Sequence, residues 1–211
     1  MKEKLVFGLK WFFKSFIWLF VVLLGLDILT KQLVMNAGVA PGNTILDWKF
    51  VRISYVLNEG AAFGMGTGNP LTNRIIYLIV ASLISIGLVV YMILKRKEMK
   101  MYIRACLIMV VTGAIGNMID RIFYSQVDNC VVDWIDFYWF WGFNFNIADC
   151  CIVIAAFMLI IYIIVSEVKD VIARRNAELA AENSEKAVEQ SIKEDENDVD
   201  DDPDEDEEES N

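Results

Sequence analysis

Asp133, in the stretch VVDWID, and Asp149, in FNIADCC, are two carboxylates that each follow an apolar run, and between Arg121 and Ala148 the only basic residue is Arg121 itself. A carboxylate at the edge of an apolar segment is costly, so it has either a partner or a task. When two carboxylates share a site one of them holds a proton; the ionised member can then activate water while the protonated member polarises a carbonyl. The chain contains no histidine, which excludes Ser-His and Cys-His nucleophiles, His-ligated zinc and the commonest general base at neutral pH. Hydrolysis by this chain would rest on carboxylates. Asp136, three residues beyond Asp133, competes with it for membership of the pair.

Other polar residues gather near the same ends of the apolar segments: Asp27 and Lys31, Asn58, Asn117, Asp120 and Arg121, and Asn146. Asp27 and Lys31 have the i, i+4 spacing of a helical ion pair. Asp120 can pair with Arg121 or with a neighbouring backbone donor. The asparagines can donate amide hydrogens to a substrate carbonyl or to an aspartate, and the Arg121 fork can fix a carboxylate or a carbonyl. Structure and function weigh about evenly for these residues. Cys106, Cys130, Cys150 and Cys151 lack the paired spacings of a zinc site and read as inert thiols. A carboxylate mechanism needs no metal and no phosphate-cradling loop is present, so no cofactor and no nucleic-acid partner are expected.

These residues are positioned by elements that belong in a bilayer. The chain is 56% hydrophobic with a positive mean hydropathy, yet its net charge is −10. The two properties are separated: from Glu167 to Asn211 acids outnumber bases nineteen to five, leaving a basic, apolar body. Spans are expected at Ser15–Leu26 (continuing beyond Asp27), Ile75–Leu94, Ala105–Ile119 and Cys150–Val165, each near the roughly 20 residues that cross the hydrocarbon core once extended by uncharged neighbours. Thr112, Gly113 and Gly116 mark the third as packed closely among the others. Gly25-Leu26-Asp27 is a poor cleavage site, so the first span is expected to be a retained signal anchor. Lysines and arginines before the first span, between the second and third and after the fourth place both termini in the cytoplasm and two loops outside.

The first outer loop contains RISYVL, read as a short strand at the membrane surface near Arg52–Leu57. The second contains DFYWFWGFNF, which suits an interfacial aromatic belt. Residues 1–175 form the expected membrane domain. Residues 176–211 form an acidic tail whose start has helix-forming composition and whose end is too charged to fold alone. A proton-coupled transporter would put polar residues in mid-span, whereas here they collect at one end; a purely structural membrane protein would tolerate change at those positions.

Five boxes carry a resemblance: DxxxK at Asp27–Lys31, NxGAAF at Asn58–Phe63, GNxxDR at Gly116–Arg121, VVD at Val131–Asp133 and FNxAD at Phe145–Asp149. In this order, over about Trp11 to Val165, the chain resembles lipoprotein signal peptidase, the bacterial signal peptidase II. The resemblance implies a mainly α membrane protein of four transmembrane helices with a small extracytoplasmic β-cradle, acting as an aspartyl endopeptidase. The implied substrates are diacylglyceryl-modified prolipoproteins, cut before the lipidated cysteine at the outer face of the bacterial cytoplasmic membrane. Asp133 and Asp149 match the family's catalytic pair. Asn58, Gly113, Asn117, Arg121 and Asn146 match positions that line or order the site, and Asp27 and Lys31 match a structural or substrate-orienting box. A monomer in contact with membrane lipid is expected. Thr112 departs from the family's usual glycine, and the tail has no counterpart in it.

Overall fold

The computed structural model describes residues 15–60, 69–124, 127–139 and 142–199. Four helices in it are long and apolar enough to cross a membrane: α1 (Ile17–Met35), α2 (Pro70–Leu94), α3 (Met101–Phe123) and α4 (Ile147–Val199). Strands β1 (Thr44–Asp47), β2 (Arg52–Asn58), β3 (Val131–Asp136) and β4 (Asn144–Phe145) form one antiparallel sheet in chain order. Each expected span is present, and each runs beyond its expected bound at one end or both. α1 runs on past Leu26 because Asp27 and Lys31 are buried against protein. α2 starts at Pro70, whose fixed φ suits a first turn, and the Asn69 side chain accepts the Thr72 N–H at 3.1 Å.

α3 is the central helix; α1 and α2 both pack on it, and its buried residues include Cys106, Val111, Thr112, Gly113, Gly116 and Asp120. Its two glycines admit the start of α4. A Cβ on Gly113 would sit 2.6 Å from Ile152 Cγ1 and collide with the Ala148 carbonyl, and one on Gly116 would sit 2.7 Å from Asp27 Oδ2. Thr112 keeps its extra polar group satisfied by donating to the Ile108 carbonyl at 2.7 Å within its own helix.

The strand expected at Arg52–Leu57 is β2. Its partners β1, β3 and β4 are too short to announce themselves by period alone. One side of the sheet rests on the bundle through Val34, Tyr55, Tyr124, Val127 and Val132. The chain leaves α3 through Asp128 and Asn129, both in the left-handed region (φ 54° and 58°), which short Asx side chains tolerate. Tyr124 O accepts the Asn129 N–H at 3.0 Å and closes that turn. The aromatic loop is tied to the β1–β2 turn: Tyr138 donates to the Lys49 carbonyl at 3.2 Å, Trp139 to that of Phe50. Phe140, Trp141, residues 61–63 of the NxGAAF box, residues 1–14 and 200–211 lie outside the described residues.

The chain divides into two units, one up to Ile160 and one from Ile161. Composition assigns the tail beyond Asn176 to disorder; through Val199 its backbone is helical instead. Alanine and glutamate favour that outcome, and Glu182 pairs with Lys186 at 2.7 Å and i, i+4 spacing.

Because Gly113 has no room for a methyl group, Gly113→Ala is expected to lower stability by about 1–3 kcal/mol. Gly87, with open space around its Cβ direction, serves as the control. Thermal unfolding in detergent reads both; equal midpoints for the Gly113 variant and wild type would show that α4 can shift at no cost.

Candidate active site

β3 and the first turn of α4 deliver Asp133 and Asp149 to one cavity of ≈ 690 Å³, also lined by Asn58, Asn117, Arg121, Phe143, Phe145, Ile152 and Val153. Sheet register explains the first. Asn58 pairs with Val131 across β2–β3, so Asp133, two residues on, is its diagonal neighbour on the same face. The Asn58 amide donates to Asp133 Oδ2 at 3.0 Å. Asp136, three residues from Asp133 on the strand, falls on the other face. It accepts from Ser54 Oγ at 3.3 Å and is absent from the cavity wall.

Helix capping explains the second. Asn146 precedes α4, its Oδ1 accepts the Asp149 N–H at 2.9 Å, and Asp149 Oδ2 accepts the Asn146 N–H at 3.2 Å, the reciprocal arrangement of a capping box. The Asn146 amide nitrogen reaches the other carboxylate, Asp133 Oδ1, at 2.6 Å. The Asn117 amide donates to Asp149 Oδ1 at 2.8 Å. Each of the four carboxylate oxygens thus accepts one bond from a neutral amide. Among the described residues neither aspartate is ion-paired.

The cations are held elsewhere. Lys31 Nζ lies 2.8 Å from Asp27 Oδ2 and 2.8 Å from Asp120 Oδ2, all three side chains at most 1% exposed. Asp27 Oδ1 accepts the Ala148 N–H at 2.9 Å, and Asp120 Oδ2 accepts the Val132 N–H at 3.2 Å. Each of these acids therefore anchors the residue immediately before a member of the pair. Lys31 also donates to Asn117 Oδ1 at 3.2 Å, which turns that amide nitrogen toward Asp149. The i, i+4 pairing of Asp27 with Lys31 is as expected; Asp120 takes Lys31 and a backbone donor, not Arg121.

Arg121 fixes carbonyls. It donates to Asn117 O at 3.1 Å and to Gly60 O at 2.9 Å, and its guanidinium lies 5.0 Å from the Tyr77 ring centre. It joins α3, α2 and the segment after β2 at the cavity rim. Gly113 stands behind the site, setting the α3–α4 approach. Gly60 and Tyr77 complete the arrangement without having been singled out from sequence, whereas Asp120 and Gly116 were noted there for ion pairing and close packing. Gly60 stood inside the NxGAAF box, a signal that could have found it. Among the described residues, no group of three or more Cys, Asp or Glu is placed to hold a metal ion.

Burial, and after it the neighbouring Asp149, push Asp133 up from 3.8 to about 7, against the pull of the Asn58 and Asn146 amides. The folded chain then keeps a proton that the unfolded chain has released, so this group's contribution to stability is intact below 3.8 and lost as pH rises through about 7. Asp133→Asn is expected to flatten the fall of the unfolding midpoint between about pH 4 and 7; a slope equal to that of wild type would remove Asp133 as its source. Lys31→Met, which leaves two buried acids without their cation, is expected to cost about 3–5 kcal/mol in the same measurement. Wild-type stability in that variant would mean that the acids need no counter-charge.

Fold and site together define a multi-pass membrane protein with a carboxylate pair in a cavity under a small sheet. A family model described as signal peptidase (SPase) II matches residues 19–165. A lipoprotein signal peptidase of Clostridioides difficile (strain 630) is 34% identical over 155 residues, covering 74% of this chain and 98% of that protein. One of Fusobacterium nucleatum is 36% identical over 149 residues, covering 69% and 84%. A solved structure described as a bacterial membrane enzyme, determined by the in meso method, superposes with a TM-score of 0.60 at 27% identity, covering 70% of this chain and 86% of that one. The chain belongs to the signal peptidase II family and is a membrane protease.

Proposed function

We propose that the chain removes signal peptides from diacylglyceryl-modified prolipoproteins as an aspartyl endopeptidase, with Asp133 and Asp149 as its catalytic pair. The observation that carries this reading is that two carboxylates face one cavity and are oriented only by neutral amides. A cation on either would hold it ionised, and the pair could not share a proton. Asn58, Asn117 and Asn146 orient the carboxylates, Arg121 and Gly113 shape the cavity, and Asp27 and Lys31 set the backbone behind it.

The chemistry follows from the two environments. Asp149 sits in the first turn of α4, where the helix dipole favours negative charge, and accepts the Asn146 N–H at 3.2 Å. The two carboxylates share one proton as a pair, written on Asp133 in the steps that follow. Water lying between them gives a proton to Asp149 as its oxygen adds to the scissile carbonyl, and Asp133 gives its proton to the carbonyl oxygen. The tetrahedral intermediate then returns the hydroxyl proton to Asp133 as the carbonyl re-forms. The C–N bond breaks, and the proton on Asp149 passes to the leaving amine. Apolar walls from Phe143, Phe145, Ile152 and Val153 suit the acyl chains of a lipidated cysteine.

In this reading the protein is a monomer of the bacterial cytoplasmic membrane, with both termini in the cytoplasm and the sheet and cavity on the outer face. Residues 1–175 form the peptidase domain, and the acidic tail 176–211 takes no part in catalysis.

The test is cleavage of a diacylglyceryl-modified precursor peptide and of its unmodified form by purified protein. Wild type is expected to cut only the lipidated peptide. Asp133→Asn and Asp149→Asn, confirmed folded, should each lose on the order of 10²–10⁴-fold in rate. Asp136→Asn should retain activity. Cleavage by Asp133→Asn at the wild-type rate would refute the assigned pair, and failure of wild type on the lipidated peptide would refute the substrate class.

A further inference from the structure

A second cavity, of ≈ 750 Å³, lies between α1, α2 and α3 at the end of the bundle opposite the sheet. Connectivity fixes that position, since Ile17 starts α1, Leu94 ends α2 and Met101 starts α3, whereas Met35, Pro70 and Phe123 close the same helices at the sheet end. On α3 the wall is a stripe at helical spacing, Arg104, Ile108, Val111 and Ile115. Ile108 and Val111 form a buried floor, while Ile17 and Ile93 stand exposed at its edge.

An apolar helix face needs no special account where the surroundings are lipid. The distinguishing features here are concavity and charge: the mouth is ringed by Arg96, Lys97 and Arg104, with no acid among the described residues of the lining. The nearest acid in the α2–α3 turn, Glu98, is taken by Lys95 at 2.7 Å. Arg104 Nη2 donates to the Arg96 carbonyl at 2.6 Å, which holds the turn against α3 and fixes the guanidinium at the cavity mouth. A general excess of basic residues near span ends would orient the protein without grouping them around a cavity.

We propose that this cavity binds one anionic phospholipid, with its phosphate on Arg96, Lys97 and Arg104 and an acyl chain along Ile108, Val111 and Ile115. Charge complementarity selects the occupant, because a basic pocket between transmembrane helices matches an anionic headgroup and a zwitterionic one gains far less from it. The volume lies within the roughly 300–1,000 Å³ of ordinary ligand sites. The site is separate from the carboxylate cavity and independent of the reading given for it.

The test reconstitutes the full chain in lipid nanodiscs containing equal phosphatidylglycerol and phosphatidylcholine, followed by release into detergent and native mass spectrometry of retained lipid. Wild type is expected to retain a single phosphatidylglycerol in preference to phosphatidylcholine. Arg96→Gln/Lys97→Gln, on exposed positions that leave the fold intact, should reduce that preference about tenfold, and Ile93→Trp, which narrows the cavity, should reduce retention of the same lipid. Arg174→Gln/Arg175→Gln is the charge-matched control and should behave as wild type. Absence of preference in wild type, retention unchanged in Arg96→Gln/Lys97→Gln, or an equal loss in the control would each overturn the proposal. In those cases the cavity takes lipid of any kind.

Discussion

The site depends on one buried ammonium. Lys31 joins Asp27 and Asp120, and the second oxygen of one acid and a shared oxygen of the other reach the backbone N–H groups of Ala148 and Val132. Those are the residues immediately before Asp149 and Asp133. A helix start and a strand separated in sequence are thereby fixed to the same point on α1 and α3. Burying three charged groups is expensive, and their mutual attraction recovers that cost only when the remaining donors and acceptors are also met. Here the Ala148 and Val132 N–H groups and the Asn117 Oδ1 meet several of them, so part of the expense of the cluster is converted into geometry at the two aspartates.

Charge and neutrality are divided between two layers. The ionic layer lies behind the site and sets where backbone goes. The layer that touches Asp133 and Asp149 is made of amides from Asn58, Asn117 and Asn146, which orient a carboxylate and favour its ionised form less strongly than a cation would. Asn146 belongs to both tasks, since it caps α4 through its oxygen and reaches Asp133 through its nitrogen. Asn117 is the contact between the layers: its oxygen faces Lys31 and its nitrogen faces Asp149. An amide fixed at one end by a cation has only one sensible orientation, so Lys31 also determines which atom Asp149 meets.

Much of this was legible in the sequence, and the limits have physical causes. The spans were legible because twenty uncharged residues have few other uses, though their ends were placed short wherever a charged residue is buried by neighbours, as at Asp27 and Lys31. β3 was read as loop because VVDWID is brief and gives no clean alternation. For the same reason periodicity alone did not separate Asp133 from its competitor Asp136; the strand puts the two on opposite faces. Asp120 could be assigned a backbone donor or Arg121 from sequence alone, because adjacency in the chain says nothing about which side of a helix faces which neighbour. In the structure Arg121 turns toward Gly60 and Tyr77, leaving Asp120 to Lys31.

The glycines of α3 belong to the same device as the lysine. Asp27 can reach the start of α4 only by passing across the surface of α3, and Gly116 is where it passes: a methyl group there would lie 2.7 Å from Asp27 Oδ2 and 3.0 Å from the Ala148 Cβ. Three residues, or nearly one turn, earlier, Gly113 lets Ala148 and Ile152 approach the backbone of α3. Small residues between membrane helices are usually explained by close packing. Here closeness has a second effect, since it brings an N–H group of α4 within hydrogen-bond range of an acid on α1. A bulkier residue at either position would release the helix that carries Asp149 without altering any group that touches the cavity.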